Sequence, residues 1–219
     1  MNSQVRNIHI DELSANRKQQ MVEVAARYYR SPDSGLAEEL LFGNLVYFAE
    51  CDDGSIGCFL IVAFDHHSAS IDGICYRFTY LGLGCATNAP ILPLFQQVKR
   101  DFASYLVRGT VGVLHLTTRT PFAYRSILRA FGSSVFPTGS HEENAESIAL
   151  AQYIKSYIHH RSMVTEADSP FVLRGVKKSP FNEKEVARIG ALGADTPLSR
   201  LNIACDGADE LIVFHTFRT

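Results

Sequence analysis

The chain has 219 residues, 46% hydrophobic and 20% charged, enough to bury a sizeable core, and we expect one domain over 1–219. The net charge of −2 excludes a broad basic face of the kind that binds nucleic acid.

Residues 5–10 alternate and read as a first strand. Ser14 is placed to cap a helix running to about 29, with Met21, Val24, Ala25 and Tyr28 on one face. Residues 31–35 read as a turn and 36–42 as a short second helix. The period then changes. Residues 45–51 and 56–64 are strand-like around an Asp52-Asp-Gly-Ser55 turn, which predicts a hairpin. The second of these strands is almost entirely apolar, as a central strand covered on both faces would be. Residues 66–70 read as a polar connection, and 74–81 as a third strand.

Next comes Gly82-Leu-Gly-Cys-Ala-Thr-Asn88, read as a glycine turn leading into a helix over about 90–106. Pro90 suits the first helical turn, and Thr87 or Asn88 is positioned to cap it. Residues 111–116 are a β-branched strand, 117–121 a loop, and 122–131 a short helix stopped by Gly132. Strand, helix and strand from 74 to 116 predict a parallel βαβ unit. An amphipathic helix starts at His141 and runs to about 160. A loop-rich segment with Pro170, Pro180 and Pro197 spans 161–200, and 211–217 reads as a late strand. The fold class expected is α/β, with a mixed central sheet flanked by helices.

Cysteines at 51, 58, 75, 85 and 205 are odd in number and contain no Cys-x-x-Cys pair. That excludes a disulfide framework or zinc ribbon and fits a reducing, cytoplasmic setting. The N-terminus lacks the apolar run of a signal peptide, and the longest apolar stretch, 58–64, is too short for a membrane span. No membrane or nucleic-acid partner is expected.

Two constellations carry chemistry. Backbone N–H groups from Gly82, Leu83, Gly84, Cys85, Ala86, Thr87 and Asn88 can hold a pyrophosphate at the N-terminus of the following helix; alternatively, the glycines only permit a tight bend. Neither the dinucleotide fingerprint nor the Walker A ending is present. The Arg119-Thr-Pro-Phe-Ala-Tyr124-Arg125 segment starts at the carboxyl end of strand 111–116, where ligands of open α/β sheets bind. There Arg119 or Arg125 can meet a phosphate and Tyr124 can donate a proton, unless the arginines face solvent and the tyrosine packs on the sheet. The doublets His66-His67 and His159-His160 lack carboxylates at a metal-ligand spacing, so no metal is expected. His115 reads as a core histidine. Cys85, at a predicted helix N-terminus, is either a small turn residue or a stabilised thiolate.

The order of elements over 5–136, with 211–217 as closing strand, resembles the GNAT acyltransferase superfamily. Thr79-Tyr-Leu-Gly-Leu-Gly84 matches the glycine spacing of that family's Arg/Gln-x-x-Gly-x-Gly/Ala motif, with Thr79 in the basic or amide position. Leu128 stands where members often carry a tyrosine, four residues before Gly132, and Tyr124 lies one turn earlier. The resemblance implies acetyl-CoA or another acyl-CoA as co-substrate. Tyr80, Leu81, Gly82 and Leu83 would form the strand end beside the pantetheine arm, and residues 82–88 would hold the pyrophosphate. It implies direct transfer to a small-molecule or protein amine, with an N–H near Leu83 polarising the thioester carbonyl and Tyr124 as acid. Glu50, His115 and Tyr47 are candidate bases by position alone. Residues 1–140 would be the acyl-CoA-binding core, and 141–219 would shape the acceptor pocket. Two other readings stay open: a catalytically inactive GNAT-like binding protein, and an enzyme built on Cys85.

Overall fold

Short polar caps and apolar stripes set the helices. Ser14 Oγ accepts from the Arg17 N–H and starts α1 (Ala15–Ala25), whose Met21, Val24 and Ala25 are buried. Pro32 sits in the first turn of α2 (Pro32–Phe42), so the expected turn at 31–35 is helical from 32 onward: a proline at N1 sacrifices an N–H that has no partner there anyway. The computed structural model describes residues 4–87, 89–138, 143–159, 169–176, 180–191 and 196–218.

The strands are β1 (Val5–His9), β2 (Leu45–Glu50), β3 (Ile56–Ile71), β4 (Ile74–Ala86), β5 (Val111–Thr118), β6 (Val135–Phe136), β7 (Val172–Leu173) and β8 (Glu210–Arg218). They form one sheet in the order β1-β2-β3-β4-β5-β8-β6, with β7 also against β8. Each neighbouring pair is antiparallel except β4 and β5. The parallel unit and the closing strand stand as read from the sequence, and the fold is the expected mixed α/β sheet flanked by helices.

The helix α3 (Leu92–Tyr105) makes the crossover between β4 and β5. It covers one face of the sheet, where the Tyr47 hydroxyl donates to Asp101 over 2.9 Å. The alternate residues Val46 and Phe48 face the other way, into a cluster with Met21 and Val24 of α1 and Leu36 of α2. Thr120 caps α4 (Pro121–Phe131) and accepts from the Ala123 N–H. The expected 141–160 helix is α5 (Ala145–Tyr153), prolonged by a π-helical turn at Ile154–Ile158. The loop-rich segment contains α6 (Glu183–Gly190), started by Asn182, and a short α7 (Pro197–Arg200). Among the described residues no helix is long and apolar enough to cross a membrane.

Two expectations about β3 and β4 are corrected. Residues 66–70 are strand rather than connection, since β3 runs on to Ile71 and pairs with β4 as far as Ile71–Ile74. The alternating burial of 64–71 is that of an ordinary half-covered strand, whose outward polar residues resemble a loop. The glycine turn is also strand: Gly84, Cys85 and Ala86 pair with Leu60, Phe59 and Cys58. Neither Gly82 nor Gly84 has positive φ.

Candidate active site

The site begins where a ladder ends. The parallel pairing of β4 with β5 runs from Tyr76–Val111 to Tyr80–His115 and stops. Both strands continue, β4 against β3 alone and β5 against β8 alone. The gap between them opens into a cavity of about 330 Å³. Its walls include Gly82, Leu83 and Gly84 of β4, Leu116 to Thr118 of β5, Arg119, and Phe122, Ala123 and Ser126 of α4. A further wall comes from Tyr28, Tyr29 and Glu39 near α1 and α2, and from Phe181, Glu185 and Arg188 at α6.

Two bulges flank the apex of this gap. On β4, Gly82 and Leu83 together oppose Ile61, because Leu81 pairs with Val62 and Gly84 with Leu60. A bulge takes one residue out of the ladder and re-aims its groups. Here the Leu83 N–H donates to Glu39 Oε2 at 3.3 Å. On β3, residues 64–66 oppose Thr79 alone, with Asp65 at φ +49° and its N–H donated to Thr79 Oγ1 over 2.9 Å. Arg77 fixes the same bulge through an ion pair with Asp65. Thr79 is therefore a buried clasp for the β3 bulge.

The β3 bulge sends His66 across β4, so that its Nε2 lies 3.0 Å from Nε2 of His115. His115 is fully buried, as a core histidine should be, and its Nδ1 has no hydrogen-bond partner among the described residues. Burial, then the neighbouring His66, His159 and His67, hold it well below the usual imidazole range. The His159 ring stands edge-on to it at 5.9 Å. Tyr80, which borders the cavity, packs on His115 with ring centroids 5.3 Å apart. Among the described residues no group of three or more His, Cys, Asp or Glu side chains has metal-binding geometry; His160 lies outside the described residues.

The remaining sequence candidates fall in different places. Leu81 is buried in the core beside the apex, and Ala86 borders the cavity, its carbonyl accepting from the Tyr28 hydroxyl. Arg119 is buried, donates to the Gly207 carbonyl over 3.0 Å and lies over the Phe181 ring at 4.8 Å. Thr87 does not cap α3: its hydroxyl donates to the Gly57 carbonyl, and the N-cap residue is Ile91, with no side-chain bond. Asn88 lies outside the described residues.

Tyr124 requires a correction. Its buried hydroxyl donates to the Pro137 carbonyl over 2.9 Å and does not border the cavity, because the face of α4 that lines it carries Phe122, Ala123 and Ser126. Cys85 requires another. It lies on β4 among the α1-side core residues, not at a helix N-terminus, and burial, with Glu185 nearby, pushes its thiol far up. Tyr47 is committed to Asp101, and Glu50 is ion-paired with Arg17 at 2.6 Å and Arg6 at 3.4 Å, so neither faces the cavity. Leu128 is more than one-third exposed and also lies off the cavity wall.

The missed residues come from segments remote in sequence. Phe181 stacks on Tyr29 at 5.0 Å, and Asn182 holds the Arg27 and Tyr28 backbone, so the 180–182 segment extends the wall begun by α1. Arg188 lies 3.6 Å above the Phe122 ring and forms a two-point pair with Glu185 (2.8 and 2.5 Å), which neutralises both charges. Glu39 did leave a signal: Gly35, Leu36, Glu39 and Leu40 share one helical face, and a carboxylate on an otherwise apolar stripe asks for a partner.

No protein-family model matches the chain, and no curated protein does. Among solved structures, it is similar to a conserved protein of unknown function from Enterococcus faecalis V583, described as a probable N-acyltransferase. That similarity has 13% identity, 62% of this chain, 34% of the other and a TM-score of 0.39. It is also similar to histone acetyltransferase HPA2 and related acetyltransferase from Corynebacterium glutamicum ATCC 13032. There the identity is 14% over 66% of this chain and 91% of the other, with a TM-score of 0.38. The chain spans about a third of the length of the first of these.

Proposed function

We propose that this chain is an acyl-CoA-dependent N-acyltransferase that moves an acyl group, acetyl in the simplest case, to an amine by direct attack in a ternary complex. One observation carries the reading: β4 and β5 part after Tyr80–His115, leaving a cavity against a bulged strand whose Leu83 N–H has left the ladder. A strand edge without its neighbour offers amide groups to an extended, amide-bearing arm such as pantetheine. The residues present fit such a donor. The Leu83 N–H, which borders the cavity and donates to a side chain rather than to the ladder, would serve as the donor that a polarised carbonyl oxygen needs. The N-terminus of α3, beside the cavity at Ile91, has no side-chain cap and favours negative charge. Arg119 stands on the opposite wall.

When bound, acyl-CoA supplies the activated carbonyl and the thiol leaving group. The chain contributes alignment, a donor for the developing oxyanion and exclusion of water, each of which lowers the barrier. The acceptor enters at the part of the wall formed by α2 and α6, which contribute Glu38, Glu39 and the paired Glu185 and Arg188.

Isothermal titration with acetyl-CoA and longer acyl-CoAs, followed by a thiol-release assay across an amine panel, tests this. We expect binding and amine-dependent thiol release. Absence of binding to every acyl-CoA would overturn the reading, and binding without release would favour a GNAT-like binding protein that does not turn over.

A further inference from the structure

Glu39 lies against Gly82 at the β4 bulge. The Leu83 N–H released by the β4 bulge donates to Glu39 Oε2 at 3.3 Å. A β-carbon built on Gly82 would lie 2.4 Å from that same oxygen and 3.2 Å from the Ile61 carbonyl. Gly82 does not have positive φ, so no turn geometry requires a glycine. The requirement is spatial: only a residue without a side chain lets the carboxylate lie against the bulge. Glu39 borders the cavity. Its carboxylate therefore stands one hydrogen bond from the N–H assigned above to the acyl carbonyl.

We propose that Glu39 is the catalytic base for the acceptor amine and that Gly82 is the spacer that lets it reach the reacting atoms. The inference rests on the acyl-transfer reading. As the donor enters, its carbonyl takes over the Leu83 N–H, and the Glu39 carboxylate turns to the incoming ammonium. Glu39 removes one proton, and the freed amine lone pair attacks the thioester carbonyl. A C–N bond forms while the carbonyl π pair moves to the oxygen held by Leu83. Collapse re-forms the C=O bond and breaks the C–S bond. The surplus proton on nitrogen passes to the departing sulfur, giving amide and thiol, and the proton on Glu39 leaves to solvent. A carboxylate beside a protonated amine serves both to attract it and to take its proton.

The test uses the full-length protein and acetyl-CoA, with putrescine and lysine amide as acceptors. Glu39→Gln keeps an oxygen for the Leu83 N–H but cannot take a proton. We expect its kcat for thiol release to fall on the order of 10²-fold or more, with the Kd for acetyl-CoA unchanged. Glu39→Ala should lose as much, and formate should restore part of its rate by supplying the missing carboxylate. Gly82→Ala, with a methyl in the place of the carboxylate, should lower kcat about tenfold by displacing the base. Glu39→Gln within twofold of the unaltered protein, or Glu39→Ala with no response to formate, would overturn the assignment while leaving acyl transfer intact. Failure of the unaltered protein to bind acetyl-CoA would instead sink the acyl-transfer reading itself. Binding without thiol release to these amines or to any of the panel would favour the binding protein that does not turn over, and would overturn Glu39 as base with it.

Discussion

The two halves of the β4–β5 pair are built from the same strands and do opposite work. From Tyr76 to Tyr80 the strands are locked together, and Tyr76, Phe78 and His115 are buried, with Tyr153 of α5 stacked on Phe78 at 5.5 Å. From Leu81 to Ala86 the partner is gone, two glycines replace bulky residues, and a carboxylate rests on the backbone. The paired half stabilises the fold. The open half presents amide groups that the ladder would otherwise have consumed. Each bulge lies at the border between them, so the fold changes from scaffold to site within two or three residues.

The comparison can be broken from either side. Phe78→Ala, in the paired half, should cost about 3–5 kcal/mol of stability by leaving a cavity, visible as a lower urea midpoint at unchanged m-value. A Phe78→Ala protein as stable as the parent would show that the paired half is not the scaffold.

Acid should strike the scaffold next. His215 on β8 is buried, stacks on Phe131 at 4.6 Å, and has its pKa lowered to about 4, by burial first and then by Lys99. Unfolded, this imidazole takes a proton near pH 6.5, whereas folded it resists until about 4. Stability is therefore full above pH 6.5 and declines as pH falls towards 4, by about 3 kcal/mol from this group alone. His115 acts in the same direction. Urea midpoints measured from pH 7.5 to 4.5 should show this limb, and His215→Phe should make it shallower.

A smaller effect is expected from Arg119→Ala at the mouth of the open half. It removes a cation from the cavity wall and the bond to Gly207, and acetyl-CoA binding should weaken about tenfold, as for loss of one charge-assisted contact. Unchanged Kd would place the donor's phosphates elsewhere. Cys85→Ala is expected to do least. Thiol release should stay within twofold, at a stability loss of about 1 kcal/mol for a small buried side chain. Abolition of activity by that substitution would revive the cysteine reading.

How far the sequence could be read depended on the distance over which each feature is decided. Ser14, Gly132 and the β-branched run at 111–116 announced the start of α1, the end of α4 and β5, because caps and periodicity act within a few residues. Gly82-Leu-Gly84 was legible as special but was misread as a turn. Glycine marks both positive φ and close approach, and a single chain does not say which. The neighbour that crowds Gly82 is Glu39, forty-three positions earlier, and the one beside Gly84 is Ile91. Tyr124 looked exposed to the site because its helix follows the right strand. Which face of that helix met the cavity was fixed by packing.

By itself the sequence determined the alternation of elements, the parallel βαβ unit and the closing strand at 211–217. Those rest on hydrophobic period and on the need to bury apolar faces. Tertiary structure alone decided where the β4–β5 ladder stops, which bulge frees the Leu83 N–H, and that Glu39, Arg119 and Phe181 line one cavity with it. Each is set by register and by contacts between segments remote in the chain, where no local rule reaches.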